Sequence, residues 1–175
     1  MKRSEELQQE LKQLEVDEKK FAETVRERFG CRWWESKEAS RYYWDNGGTD
    51  FMHKKEAIEF DIYRELNREI EVGEGVTYCL WSDKHACTVI ARTRCTLTIQ
   101  RDKAILDPNF KPEWIPGGFA GHCTNQDEQS YTYERDPNGQ IYKCRWSEKN
   151  GRFQTGSDGS IRIARGRHEF YDYNF

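Results

Sequence analysis

Histidine and cysteine side chains come close together at two places in this sequence, and they are the first candidates for chemistry. His85 and Cys87 would share one face of a strand, with Cys79 and Cys95 nearby in the sequence. Structural zinc sites carry C-x₂₋₄-C pairs on tight turns, and no such pair occurs in the sequence. We therefore expect no metal or other cofactor, although a site assembled from separate strands stays open.

The second place is a glycine-rich segment at residues 117–123. A cysteine nucleophile needs a thiolate beside a base, and Cys123 directly follows His122. His122 and Asp127 could also act as acid and base in RNA cleavage. Two polar residues on one loop are common without catalysis, and the phosphate-loop pattern GxxxxGK[ST] is absent. We predict a non-catalytic protein and keep RNA cleavage through His122 as an alternative.

A basic surface with aromatic side chains is the third candidate. If Tyr142, Cys144 and Trp146 face a core, their neighbours along the strand face the solvent. Basic residues combined with tyrosines that stack on bases are typical of sheets that bind single-stranded DNA or RNA. However, residues 75–175 carry 14 Lys and Arg against 12 Asp and Glu, which predicts weak attraction to a polyanion. The candidates are Arg94, Arg101, Lys103, Tyr131, Tyr133, Lys143, Arg145 and Arg162.

Helical periodicity dominates residues 1–72, which we predict to be an acidic helical segment. Apolar side chains recur at helical spacing between Ser4, a possible N-cap, and Gly30, a possible C-terminal cap, and Glu18 interrupts the pattern. A second helix is expected from Thr49 or Asp50 to Ile70. An aromatic element at residues 31–44, closed by a turn at residues 46–48, should connect the two helices.

From residue 76 the apolar period becomes two, which predicts strands over residues 73–175. A long loop rich in Gly and Pro is expected at residues 104–128. The turn sequence Asp136-Pro137-Asn138-Gly139 predicts a hairpin between its flanking strands. An aromatic tail at residues 170–175 should dock on the fold. Strands are predicted at residues 76–81, 85–92, 94–101, 131–135, 140–146 and 161–165.

These patterns predict an α+β fold, in which an N-terminal helical segment packs on or extends from a small antiparallel sheet or partly open barrel. The chain has 6 Trp, 9 Tyr and 9 Phe among 175 residues, so aromatic rings should build much of the core. No apolar run approaches the ~18 residues that span a bilayer, and the sequence opens on charged residues. We expect a cytoplasmic protein with reduced cysteines and no membrane contact.

Five segments of the second part form a distinctive set. They are GVTY at residues 75–78, WSDKHACTVI at 81–90, QRDKA at 100–104, WIPGGFAGHCTNQ at 114–126 and YDYNF at 171–175. These segments resemble small accessory proteins of phages and other mobile elements of gut bacteria. The resemblance covers roughly residues 73–175, does not include the helical segment, and implies no catalytic residue.

Proteins of that setting with a small acidic chain are similar in kind to anti-defence proteins, including type II-A anti-CRISPR inhibitors of Cas9. The resemblance implies a bacterial defence nuclease, Cas9 or its guide-RNA complex, as partner in the host bacterial cytoplasm. Carboxylates would stand in for phosphates on a basic surface, and exposed rings would add short-range contacts. A solvated acidic face is the simpler interpretation. The partner-binding candidates are Glu56, Glu59, Glu65, Glu69, Trp33 and Trp34.

Overall fold

Helices precede strands along this chain in its computed structural model, which describes residues 2–30, 32–117, 121–156 and 159–174. The α+β prediction is confirmed. Cys31, Gly118-Phe119-Ala120 and Phe175, which belong to predicted features, lie outside the described residues. Among the helices of the described ranges, none is long and apolar enough to cross a bilayer. The chain divides into two compact units, Met1–Leu66 and Asn67–Phe175.

The elements are numbered in chain order. The helices are α1 (Arg3–Phe29), α2 (Lys37–Tyr43) and α3 (Thr49–Arg68). The strands are β1 (Gly75–Cys79), β2 (Lys84–Arg92), β3 (Thr96–Arg101), β4 (Lys103–Leu106), β5 (Trp114–Ile115), β6 (His122–Cys123), β7 (Tyr131–Glu134), β8 (Ile141–Ser147), β9 (Arg152–Thr155) and β10 (Ile161–Arg165).

The unit Met1–Leu66 is built on two helices that run antiparallel, α1 and the greater part of α3. The Phe21 and Phe51 rings lie 5.8 Å apart between centroids. Two turns along α1 toward its N-terminus, the Oε1 atom of Glu15 lies 3.3 Å from the Nζ atom of Lys55 on α3. Contacts that move backward on one helix as they move forward on the other establish the antiparallel arrangement.

Glu18, which interrupts the apolar spacing of α1, accepts a hydrogen bond from a buried ring. The hydroxyl of Tyr43 donates to its Oε1 atom at 2.9 Å, and burial together with this bond raises the pKa of Tyr43 to about 12. The predicted turn at residues 46–48 is wrong in form, because a π-helical turn, Trp44–Gly48, leads directly into α3. The break in helical geometry is at Gly47.

The unit Asn67–Phe175 contains a closed antiparallel barrel. Its strands follow one another in the order β1, β2, β3, β8, β9 and β10, and β10 pairs with β1. The segment between β3 and β8 carries two further ladders, β4–β7 and β5–β6. Closure pairs both edges of every barrel strand, so the barrel itself offers no free edge to another chain.

Alternate residues of the strands fill the barrel interior with apolar side chains. The Tyr78 and Tyr142 rings stack there, with centroids 4.1 Å apart. Burial raises the pKa of the Cys87 and Cys144 thiols to about 12, so both are neutral small hydrophobes. Cys95, which precedes β3, is exposed. The interior also holds Ile70, Val76, Val89, Leu97, Ile99, Phe153 and Ile163.

The predicted hairpin between residues 131–135 and 140–146 is wrong in its pairing. The turn exists, because the Gly139 N–H donates to the Asp136 carbonyl at 3.0 Å. However, β7 pairs with β4, and β8 pairs with β3 and β9. The Gln100 side chain donates to the carbonyls of Pro137 and Gly139, which binds the turn to β3. Barrel closure therefore determines the partner of β8, and local turn chemistry does not.

Other strand predictions also need correction. The expected loop at residues 104–128 contains most of β4 and all of β5 and β6, and β9 was not predicted. β5 and β6 have two residues each, too few to show a period. The docked tail is confirmed over residues 170–174. Phe170 and Lys84 exchange two backbone hydrogen bonds of 3.0 Å, and the Asn174 side chain bonds both backbone groups of Cys123.

Candidate nucleic-acid interface on the barrel

Three neighbouring barrel strands, β8, β9 and β10, carry basic residues and no acidic ones. Their sequences are IYKCRWS, RFQT and IRIAR, which contain five Lys or Arg and no Asp or Glu. The predicted alternation in β8 is confirmed, with Cys144 buried and Lys143 and Arg145 exposed. Lys143, Arg145 and Arg162 are exposed, whereas Arg165 pairs with Glu74 at 3.1 Å, so the first three residues present positive charge to the solvent.

The strand register aligns part of this charge in one row. Arg145 on β8 lies opposite Gln154 on β9, and Gln154 lies opposite Arg162 on β10. Because neighbouring strands are about 4.8 Å apart, the two arginine backbones are about 10 Å apart. Lys143 extends the row along β8 and lines a shallow cavity of about 510 Å³ with Arg145 and Gln154. We name Lys143, Arg145, Gln154 and Arg162 the basic row.

Trp81 supplies an aromatic ring next to the basic row. It follows β1 in the connection to β2 and is 90% exposed, the largest value among the exposed large apolar side chains of the described residues. Trp81, Lys84 and Arg162 line one surface cavity of about 300 Å³. An indole this exposed is available to stack on a planar ligand.

The other predicted basic residues are not members of the basic row. Arg101 donates to buried Glu169 at 2.9 Å. Lys103 on β4 lies 3.8 Å from Glu134 on β7, in an exposed pair. Arg94 lies in the connection between β2 and β3 and lines a different cavity. Only Lys143, Arg145 and Arg162 of the predicted basic set therefore come together.

The two predicted stacking tyrosines are half-buried side chains of the β4–β7 ladder. The Tyr131 hydroxyl donates to Gln129 at 2.7 Å, and burial raises its pKa to about 12. The Tyr133 hydroxyl accepts the backbone N–H of Glu169 at 3.2 Å. Both hydroxyls already form hydrogen bonds within the protein, whereas the Trp81 ring is exposed. The signal that would have found Trp81 is its position at the start of the Trp81-Ser82-Asp83-Lys84 turn.

Sequence reasoning also missed two buried carboxylates, which lie far apart in sequence from several of their partners. Asp102 is 3% exposed. Its Oδ2 atom accepts the Thr88 hydroxyl at 2.6 Å and lies 2.8 Å from Nε of Arg167. Nη2 of Arg167 also donates to the Thr88 hydroxyl at 2.7 Å. These contacts hold the chain after β10 against β2 and the end of β3.

Glu169 is the second buried carboxylate. Its Oε2 atom accepts the Ala86 N–H at 2.7 Å, and its Oε1 atom lies 2.9 Å from Arg101 and 3.2 Å from Nδ1 of His85. Burial alone would raise the pKa of Glu169. The hydrogen bonds from His85 and Ala86 and the positive charge of Arg101 have the larger, opposite effect, so the pKa is lowered overall. These donors keep the Glu169 carboxylate ionised. We name Asp102 and Glu169, together with their hydrogen-bond and ion-pair partners, the tail clamp.

No family model, curated protein or solved structure matches this chain.

Residues considered for catalysis and metal binding lie mostly apart. His122 and Asp127 are both exposed, and among the described residues no hydrogen bond or ion pair joins them. Cys123 is buried, and its backbone is bonded to Asn174. Within the same described ranges, no group of three His, Cys, Asp or Glu side chains is placed to hold a metal ion.

The candidates on the helical unit have different surroundings. Glu56 and Glu59 are exposed one turn apart on α3, with His53 3.7 Å from Glu56. Glu65 lies 3.6 Å from Arg64, and its side chain is only 21% exposed. Trp34 is 61% exposed, whereas Trp33 is half-buried against Tyr43 with ring centroids 4.8 Å apart. Glu69 belongs to the second unit and is half-buried.

Proposed function

We propose that this protein is a non-catalytic binding protein whose barrel holds single-stranded nucleic acid. The observation that carries the proposal is the basic row with exposed Trp81 beside it. Lysine and arginine side chains pair with phosphates, and an exposed indole stacks on a base of any identity. The ligand would lie on the outer face of the barrel, across β8, β9 and β10.

Net charge does not support the proposal, but charge distribution does. Residues 67–175 contain 15 Lys and Arg and 15 Asp and Glu, so this part of the chain is neutral overall. Of the five basic residues of β8 to β10, Arg165 pairs with Glu74 at 3.1 Å, whereas Lys143, Arg145 and Arg162 have no carboxylate partner among the described residues. Local positive potential can attract a polyanion where the total charge does not. We therefore expect binding that is clear at low salt and falls steeply as salt rises.

Removing the basic row should weaken binding to a single-stranded oligonucleotide. For the double variant Arg145→Ala/Arg162→Ala, we expect about tenfold or more loss of affinity at low salt, because two phosphate contacts disappear. Fluorescence polarisation with a labelled oligothymidine measures this affinity.

The Trp81→Ala variant should bind the same oligonucleotide about tenfold more weakly, because the base that stacks on the indole loses its partner.

Matched controls separate this interface from a general effect of charge or aromatic content. Lys111→Ala/Lys149→Ala removes the same charge from exposed positions outside the basic row, and Trp34→Ala removes an exposed indole from the other unit. Both controls should bind like the unaltered protein. The proposal fails if the unaltered protein does not bind the oligonucleotide at low salt, or if the two double variants bind equally.

A second candidate function is inhibition of a bacterial defence nuclease such as Cas9 by a phage or mobile-element protein. The exposed carboxylates of Glu56 and Glu59 and the exposed Trp34 ring support it, since carboxylates and rings together suit a basic protein surface. Inhibition would block DNA binding or cleavage without any reaction on this chain. The ligand would then be a protein, and the helical unit would contact it.

Charge reversal tests the inhibitor hypothesis. Glu56→Lys/Glu59→Lys should weaken capture of a Cas9–guide RNA complex by about tenfold and restore DNA cleavage, because like charges would then face each other. Glu23→Lys/Glu27→Lys makes the same charge change on the exposed side of α1 and should retain inhibition. Absence of any effect of the unaltered protein on cleavage would contradict this function.

A further inference from the structure

A cavity next to the connection between β2 and β3 combines arginine side chains with an indole. Its volume is about 200 Å³, and it is lined by Arg68, Arg92, Arg94, Cys95, Trp146 and Glu148. A more open cavity of about 530 Å³ is also lined by Arg92 and Arg94, together with Glu71, Val72 and Thr93. The two arginines that line both cavities join them into one site.

The charges of this site are unequal. Nη2 of Arg68 lies 2.9 Å from each carboxylate oxygen of Glu148, so these two side chains neutralise each other. Arg92 donates to the Arg68 carbonyl. In the described part of the chain, Arg94 has no hydrogen-bond or ion-pair partner. Two guanidinium groups, those of Arg92 and Arg94, therefore face one remaining carboxylate, that of Glu71.

The indole wall adds a second observation. The Arg68 guanidinium lies over the Trp146 ring, 4.9 Å from its centroid. The Nε1 atom of Trp146 is buried and has no acceptor among the described residues. Buried donors of this kind normally have a partner. The indole therefore forms a packed wall of the site, and Arg94 is the cation for which the described residues supply no acceptor.

The cavity adjoins the basic row. Arg145 lies opposite Thr96 in the β3–β8 ladder, and Arg94 precedes Thr96 by two residues. The N–H of Trp146, the residue after Arg145, donates to the Cys95 carbonyl at 2.9 Å. A nucleic-acid strand that lies along the basic row would consequently have one end beside this cavity.

We propose that Arg92 and Arg94 bind a terminal phosphate monoester, that of the nucleic-acid strand held by the basic row, so the inference rests on the proposed function. A terminal phosphate carries more charge than an internal phosphodiester and has three free oxygens for guanidinium forks. A terminal phosphate can also enter a small cavity, whereas an internal phosphodiester has the nucleic-acid chain attached on both sides. Free mononucleotides share this chemistry.

Oligothymidines of about 12 nucleotides, labelled internally, test this with a 5′-phosphate, a 3′-phosphate or neither. We expect one phosphorylated form to bind about tenfold more tightly than the unphosphorylated form, as charge-assisted hydrogen bonds would give. The Arg94→Ala variant should bind all three oligonucleotides equally. Added inorganic phosphate should likewise remove the preference of the unaltered protein for the phosphorylated form. Arg41→Ala, which removes one exposed arginine of α2, should keep the preference.

The outcomes separate the two proposals. Equal affinity for all three oligonucleotides would overturn the phosphate site while leaving the barrel interface intact. If no oligonucleotide binds, the proposed function fails, and titration of the unaltered protein with a free mononucleotide decides the cavity. If the unaltered protein binds the mononucleotide and the Arg94→Ala variant does not, the phosphate site is supported. If the unaltered protein does not bind the mononucleotide, the phosphate site is overturned.

Discussion

Replacing Gly139 by alanine is expected to destabilise the barrel unit by about 3 kcal/mol, the upper range for an overpacked site. A Cβ atom at this position would lie 2.0 Å from the Arg101 carbonyl oxygen. That atom is backbone, so no side chain can move aside. Either β3 or the turn before β8 must shift. The Arg101 N–H bond to the Gln140 carbonyl, 2.9 Å long, would be lost or distorted.

Urea unfolding and hydrogen exchange along β3 and β8 measure this effect. Gly166→Ala is the matched control in the same unit, because its Cβ would meet no atom within 4 Å and only its φ of +88° is unfavourable. That change should cost about 1 kcal/mol. If Gly139→Ala costs no more than Gly166→Ala, the close pairing of the turn with β3 is contradicted.

Replacing Asp102 by alanine is expected to cost about 2–4 kcal/mol of unfolding free energy. The change would leave Arg167 without its 2.8 Å carboxylate partner and the Thr88 hydroxyl without an acceptor. Removing one member of a buried ion pair is strongly destabilising because the remaining charge is poorly solvated. The Arg167 side chain is 33% exposed, so water should recover part of the loss.

Glu134→Ala is the matched control for the tail clamp. Its carboxylate forms an exposed pair with Lys103 at 3.8 Å, and such pairs contribute at most about 1 kcal/mol. Asp102→Asn keeps the side-chain shape and should lose less stability than Asp102→Ala. Hydrogen exchange should also become faster in β2 and in residues 166–174. Equal stability of the Asp102→Ala and Glu134→Ala variants would show that the buried pair does not hold the chain end.

The second part of this chain shows where strand prediction from sequence succeeds and where it fails. The alternation in β8 predicted which residues point inward, because side-chain direction depends only on the two-residue period. It did not predict the partner of β8. The Asp136–Gly139 turn fits a hairpin with β7 equally well, and the choice of β3 requires contacts between residues 41 to 49 positions apart in sequence.

The candidate interface was predicted only in part for the same reason. Lys143, Arg145 and Arg162 were found from exposure patterns within single strands. Gln154 between them, and the cavity that Trp81 shares with Arg162, depend on how β8, β9, β10 and β1 align. Arg101 has the same strand pattern as Lys143, Arg145 and Arg162. However, its guanidinium donates a hydrogen bond to the buried carboxylate of Glu169, which lies 68 residues later in the sequence.

From the sequence, local periodicity and composition predict that helices precede strands, which face of β8 points inward and that the aromatic tail docks. The closed barrel, the tail clamp and the grouping of basic residues into one row emerge only in the folded structure. Those features require charges and strands that are distant in sequence to meet, and local propensity carries no information about that meeting.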